Sequence, residues 1–305
     1  MKRVLIISYY WPPKGGVGVQ RWLKLTKYLL RYNYKPIIYT PNNGVTPLTD
    51  GSLLDAIHPD LEVIKKDIFE PQSLFSFFSK HSTSSDVLIK QNNTFFNKFL
   101  IWFRANFFVP DSRIFWIKPS IQFLLKYLKN QPVDVIISSG PPHSMHMIAL
   151  SLQKKLNIKW IADFRDPWTD IEYFEHLPLF NFIRNKHLKL ENQVLSSADL
   201  VLSVSQSWAN RMSVLGAKKV EVLTNGYDHE DYCYSQENTK DRFCIGHFGL
   251  YNELRDHPFF WNTIKKICLD NSNFSNSLNF LFSGEVHDNF FTNIKNLKFD
   301  KKLNY

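Results

Sequence analysis

Cysteine is scarce. The 305 residues hold only Cys233, Cys244 and Cys268, an odd number with no C-x-x-C spacing. That leaves no material for a disulfide framework or a cysteine-based zinc site, and it suits a reducing compartment, so a cytoplasmic location is expected. Nowhere does the chain offer the roughly 18–20 uninterrupted apolar residues of a membrane span. The apolar stretch of KRVLIISYYWPP at the N-terminus is too short for the core of a signal peptide. Neither export nor a transmembrane anchor is expected. Acidic residues are outnumbered, 28 against 37 Lys and Arg, for a formal charge of +9, and that balance favours an anionic partner. Zinc-finger spacing, an RNP-like aromatic motif and basic heptads are all missing, so no nucleic-acid partner is expected. Glycine is sparse too, 11 in all, yet Gly15, Gly16 and Gly18 fall within four residues.

What is present is an alternation of short β-branched runs with longer amphipathic segments, the pattern of βαβ units and a parallel α/β sheet covered on both faces. The runs Val4 to Ser8, Pro36 to Thr40, Leu61 to Ile64, Val133 to Ser138, Lys159 to Asp163, Leu200 to Val204 and Val220 to Leu223 read as strands. Val19 to Arg31 and Ser144 to Leu156 read as helices. A turn, NGYDHEDY, and a polar stretch, SQENTKDR, then precede a fresh strand-helix-strand series at Phe243 to Phe248, around Phe259 to Cys268, and at Leu278 to Phe282. The expected organisation is a first Rossmann-like domain over 1–232, a linker over 233–241 and a second, incomplete Rossmann-type domain over 242–305.

Between Pro71 and Pro119 the texture changes to Phe and Trp interleaved with Lys and Arg, which reads as a helical insertion in the first domain. Two readings stand for it. Its aromatics can pack inward as a small core, or Phe99, Trp102, Phe103, Phe107 and Phe108 can form an interfacial surface beside Arg104 and Lys98, for peripheral contact with an anionic membrane.

Four segments carry candidate chemistry. SYYWPPKGGVGVQR, Ser8 to Arg21, sets the three glycines between a strand and a helix, where glycine permits close backbone approach and the helix start offers free N–H groups to an anion. A tight βα turn without a ligand would look the same. It is not a dinucleotide fingerprint: a third glycine is missing, and no acidic residue closes PIIYTPNN. SSGPPHS places Ser139, Gly140 and His143 at the ligand-binding edge of such a sheet, although His143 can equally be a helix cap or a packed ring. ADFRDPWTD gathers Asp163, Arg165, Asp166, Trp168 and Asp170 at the next strand end, where charges are costly to bury unless paired or facing a ligand. LTNGYD and GHFGLYNELRD close the series and contribute Asn225, Gly226 and Arg255. Arg suits phosphate because its planar fork bonds two oxygens at once.

Taken in order, these segments resemble the family-four glycosyltransferases, above all bacterial members with a proline pair before the glycines. The resemblance spans about the whole chain. It implies a GT-B fold whose first domain is the acceptor side, and a retaining enzyme that transfers a hexose from a nucleotide sugar to a saccharide or lipid-linked acceptor in cell-surface polysaccharide or lipopolysaccharide assembly. Such an enzyme would work at the inner face of the plasma membrane, without a metal or any cofactor besides the sugar-nucleotide substrate.

By the same resemblance, Gly15, Gly16, Gly18 and Arg255 would meet the donor diphosphate. Ser139, Gly140 and Trp168 would lie on the acceptor side, with His143, Arg165 and Asp166 as catalytic candidates. Similar enzymes carry a histidine where Arg165 or Asp166 stands here, so that role does not transfer. Whether Asp166 orients the acceptor hydroxyl or Arg165 steadies a phosphate stays open. The paired-glutamate motif of relatives is also missing, since no glutamate follows Glu285. A truncated donor domain is therefore expected, from a fragmentary record, a frameshift, or a split enzyme completed by a complementing chain. The alternative function is a catalytically incompetent remnant or interaction protein.

Overall fold

Strand β1, Lys2–Ser8, shows how the first sheet is covered. Its residues point alternately to two faces. Val4 and Ile6 pack with Val19, Trp22 and Leu23 of helix α1, Val17–Arg31, while Leu5 and Ile7 join a larger cluster on the opposite face. With both faces buried, the run has no place for a polar side chain until Ser8. The computed structural model describes residues 1–46, 48–70, 95–231 and 243–305. They fall into two compact units, Met1–Asp231 and Tyr232–Tyr305. The expected linker, 233–241, lies outside the described residues, as do 71–94 of the expected insertion.

In the first unit α1 is followed by β2 (Tyr34–Pro41), β3 (Glu62–Lys66), α2 (Phe95–Phe107), α3 (Ile114–Asn130), β4 (Val135–Gly140), α4 (Ser144–Leu156) and β5 (Lys159–Phe164). The series ends with α5 (Asn181–Ser197), β6 (Leu200–Ser203), α6 (Gln206–Val214) and β7 (Val220–Val222). All pairings are parallel, in the order β3-β2-β1-β4-β5-β6-β7. The order reverses between β1 and β4, and such a switch point leaves a crevice at the C-terminal strand ends. Ser8, Ser139 and Asp163 stand in one row across β1, β4 and β5.

Helices α2 and α3 are the described part of the aromatic insertion. Pro119, its expected end, lies inside α3 and is exposed. The second unit holds β8 (Phe243–Phe248), α7 (Pro258–Asp270), α8 (Ser272–Ser277), β9 (Leu278–Ser283), α9 (Phe290–Asn296) and β10 (Leu303–Asn304), with a parallel sheet ordered β10-β9-β8. Trp261, Phe280, Phe282 and Phe290 fill its core.

Candidate functional site

The glycine loop leaves β1 at the switch point. Its backbone is held by residues 48–50: Gly15 N–H donates to Leu48 O (2.9 Å) and Asp50 N–H to Pro13 O (2.8 Å). Of the three expected glycines, Gly16 uses a left-handed conformation, φ 93°, and it occupies the cap position of α1, where no side chain accepts from the first turn. Gly18 serves close approach instead: a methyl group there would run into Nη1 of Arg165. Lys14, beside the loop, does not project from it. Its Nζ turns inward to Tyr9 O (2.8 Å) and over the Tyr9 ring, and burial lowers it to about 8.

Arg165 follows β5 and reaches toward that loop. Its backbone N–H donates to Gly140 O (3.0 Å), a terminal nitrogen donates to Pro141 O, and the guanidinium lies 5.4 Å from the centre of the Tyr10 ring. The Nε–H is buried with no partner. Burial is also the main pressure on its charge and draws the guanidinium below its usual value. Asp166 next to it is raised by burial, against the pull of Arg165. A desolvated cation with an unmade hydrogen bond, opposite an uncapped helix start, is the arrangement an incoming phosphate would satisfy.

Across the β4 end, His143 is a packed ring and not a cap. The start of α4 is capped from outside by Asp111, which accepts from Ser144 N–H and Oγ–H, both at 2.8 Å. His143 stacks on Trp168, 4.5 Å between centroids and 1° from parallel, and Trp168 Nε1 donates to His187 Nδ1 (3.0 Å). Ser138 Oγ accepts from Trp160 Nε1 (2.9 Å) and is hydrogen-bonded to His146 Nδ1 (2.8 Å), which leaves the His146 Nε2 side facing Gly140. That Nε2 and His143 Nδ1 are both buried without partners. They stand 2.6 and 3.2 Å from where a Gly140 Cβ would be, so Gly140 is required for space. Burial first, then neighbouring charge, holds His143 well below its ordinary value and His146 at about 3. Both rings are neutral donors or acceptors at neutral pH.

Ser139, expected on the acceptor side, is buried and its hydroxyl is committed to Asp163 (2.8 Å). Asp163 also accepts from Trp22 Nε1 (2.8 Å) and from Arg21 Nε and Nη2 (3.2 and 2.9 Å). Arg21 Nη1 continues to Asn225 Oδ1 (3.0 Å) and Thr224 O (3.3 Å). The buried Arg-Asp pair of this region is thus Arg21 with Asp163, which ties the glycine-loop helix to LTNGYD. Asp170 instead lies at the surface, 3.7 Å from Arg211.

The model of Glycosyltransferase Family 4 matches residues 74–231, just over half of the chain. The chain belongs to that family. Its fold is that of GT-B glycosyltransferases. Similar solved structures include sucrose-phosphate synthase from Thermosynechococcus elongatus, 10% identical with a TM-score of 0.58, covering all of this chain and 70% of that one. The lipopolysaccharide outer core galactosyltransferase WaaB in its apo form is 9% identical with a TM-score of 0.54 over 99% of this chain and 67% of its own. An E. coli trehalose-6-phosphate structure bound with UDP-2-fluoro glucose is 13% identical with a TM-score of 0.50, over 98% and 68%. No curated protein sequence matches the chain.

Within this family-four chain, Gly15, Gly16, Gly18, Gly140, His143, Arg165, Asp166 and Trp168 come from the C-terminal ends of β1, β4 and β5 and the segments that follow them. Arg255 belongs to the second unit, on the turn Glu253–Arg255, where it is exposed and Nη1 donates to Leu250 O (2.9 Å). Its neighbour Asp256 anchors that unit by accepting from Trp261 (2.6 Å), His287 (2.9 Å) and Asn293 (3.2 Å). Burial alone would raise that carboxyl, and these bonds hold it below its ordinary range. Sequence reasoning missed Arg21, Asp111, His146 and His187, which act through partners 8–142 residues away. Among the described residues no group of three or more His, Cys, Asp or Glu could hold a metal ion.

Proposed function

We propose that the chain uses a nucleotide-sugar donor, transferring a hexose with retention to a saccharide or lipid-linked acceptor of cell-surface polysaccharide or lipopolysaccharide. The observation that carries this reading is the buried, unpartnered Nε–H of Arg165 against Gly18, beside the uncapped start of α1. Gly15, Gly16 and Gly18 would approach the diphosphate through backbone amides, with Arg165 opposing its charge. Asp166, whose carboxyl burial raises above its ordinary value, would orient the acceptor hydroxyl. His143 would offer a neutral contact, fixed in plane by Trp168. Arg255 is assigned a phosphate contact on the second unit. The similarity to a structure holding UDP-2-fluoro glucose supports a uridine nucleotide as the first donor to try. A lipid-linked acceptor would bring the protein to the inner face of the plasma membrane; among the described residues no helix is long and apolar enough to cross one.

Calorimetric titration of the full chain with UDP and UDP-glucose tests the donor site. Arg165→Gln is expected to weaken UDP by about tenfold or more, the worth of one charge-assisted hydrogen bond at about 1.5–3 kcal/mol. Unchanged affinity in Arg165→Gln, or no binding of any nucleoside diphosphate, would defeat the reading. Binding without sugar transfer would favour a non-catalytic interaction protein.

A further inference from the structure

Away from the glycine loop, the first unit carries a continuous run of aromatic rings. Phe69 meets Phe115 at 5.6 Å between centroids, Phe115 meets Phe108 at 6.0 Å, and Phe108 meets Phe103 at 5.9 Å. The run continues through Phe99 (6.2 Å), Trp102 (5.7 Å), Phe180 (5.6 Å) and Phe182 (5.4 Å). Phe69, Phe99, Phe107, Phe115, Phe180 and Phe182 are between 45% and 67% exposed. Single exposed apolar residues are ordinary, but contiguous patches mark contact surfaces. This one is also braced. Buried Asn106 donates to Trp102 O and Pro178 O and accepts from Phe180 N–H, all at 2.8 Å, fixing the turn before α5 against α2.

Charge decides the occupant. Helices α2 and α3 contain no carboxylate, nor do the first ten residues of α5. Lys98, Lys118, Lys186 and Lys189 are exposed on those elements, with Arg184 half-buried among them. Of the nearby carboxylates, Asp111 between α2 and α3 is committed to Ser144, Glu70 and Glu191 are buried, and Glu172 and Glu175 are exposed on the turn before α5. A second copy of this face would set cation against cation. An anionic bilayer surface would take the Phe rings at the headgroup level and the lysines at the phosphates. We infer that this aromatic and basic face of α2, α3 and α5 docks the protein on an anionic lipid surface. It would serve the lipid-linked acceptor of the proposed function, yet its physics does not depend on that reaction.

Vesicle flotation of the full chain tests the inference, with neutral phosphatidylcholine compared against the same lipid containing phosphatidylglycerol. The parent is expected to float with anionic vesicles only, and less so in high salt. Phe99→Ser, Phe107→Ser and Phe182→Ser together should reduce binding at least tenfold. Lys186→Glu with Lys189→Glu should also reduce it, each lost lysine counting for about fivefold. UDP affinity and ellipticity, measured without lipid, should stay at parent values in both variants. A parent that ignores anionic lipid, or a triple Phe variant that floats like the parent, overturns the inference. So does concentration-dependent dimerisation in ultracentrifugation that the Phe variant abolishes, which would assign the face to a second copy. Loss of UDP binding in the parent would sink the proposed function and leave this result standing.

Discussion

Two residues apart on one strand end, Asp163 and Arg165 have opposite circumstances. Every oxygen of Asp163 is engaged by Arg21, Trp22 or Ser139 in full burial. Arg165 is largely desolvated, yet one of its N–H groups has no partner and its charge is drawn down by burial. Buried polar groups in native proteins are normally paired, so a fully satisfied network reads as scaffold and an unsatisfied cation as a place kept for something else. The same contrast recurs at β4, where Ser139 is spent on the scaffold while His143 and His146 keep unpaired nitrogens around Gly140.

The sharpest way to break this contrast is Asp163→Asn. It leaves Arg21 buried at 8% exposure without a full countercharge. Removing one partner of a buried pair costs about 3–5 kcal/mol. The urea midpoint should fall accordingly, while Arg165→Gln, which removes a cation that is already under-satisfied, should change stability by less than about 1 kcal/mol. Equal stability losses in the two variants would erase the distinction between scaffold and site.

Much of the architecture was legible because it is a local pattern. Short continuous apolar runs and helical faces of period 3.6 placed the elements within a few residues, with Phe243–Phe248 and Ser144–Leu156 at the bounds read from the sequence. The segments at the strand ends were legible as well, because glycines and charges interrupt an apolar pattern there. Which charge does what was not legible. ADFRD presents Asp163, Arg165 and Asp166 within four residues, and only the distant Arg21 and Trp22 reveal that Asp163 belongs to the scaffold. Asp111 was passed over for a similar reason: its role as the cap of α4 joins residues 33 apart. A serine at the first position of a helix gave no sign that its N–H needed a carboxylate from elsewhere.

A second, smaller effect sharpens the contrast through pH. His146 at about 3 and His187 at about 4 lie below the ordinary value of 6.5, and His143 lies well below it too, chiefly through burial. The native state therefore refuses protons that the unfolded chain accepts below pH 6.5, so stability must fall as pH drops through that value. Each such histidine removes about 1 kcal/mol between pH 6.5 and 5.5. Asp166 and Glu191, raised by burial from ordinary values of 3.8 and 4.5, act in the opposite sense. Urea denaturation at pH 7.5, 6.5 and 5.5 should show the decline, and His187→Gln should lessen its slope. A flat profile would mean that the rings are not held neutral, and the site's neutral histidine contact would go with them.

The smallest expected effect lies where the scaffold reaches the surface. Asp228 accepts from Lys27 Nζ (2.8 Å) and Tyr28 Oη (3.3 Å), while Glu230 is paired with Lys27 and Arg31, tying the end of the first unit to the outer face of α1. The Lys27 hydrogen bond is the main reason Asp228 is held down at about 2. Its folded value is depressed, so the contribution is present above the unfolded carboxyl range and is lost as pH falls toward 2. With Lys27 partly exposed, Lys27→Ala should cost about 0.5–1 kcal/mol, and less at high salt. A loss as large as that of Asp163→Asn would show that the surface lattice, and not the buried Arg21–Asp163 pair, fixes α1 in place, and the glycine loop at its start would then depend on ionic strength.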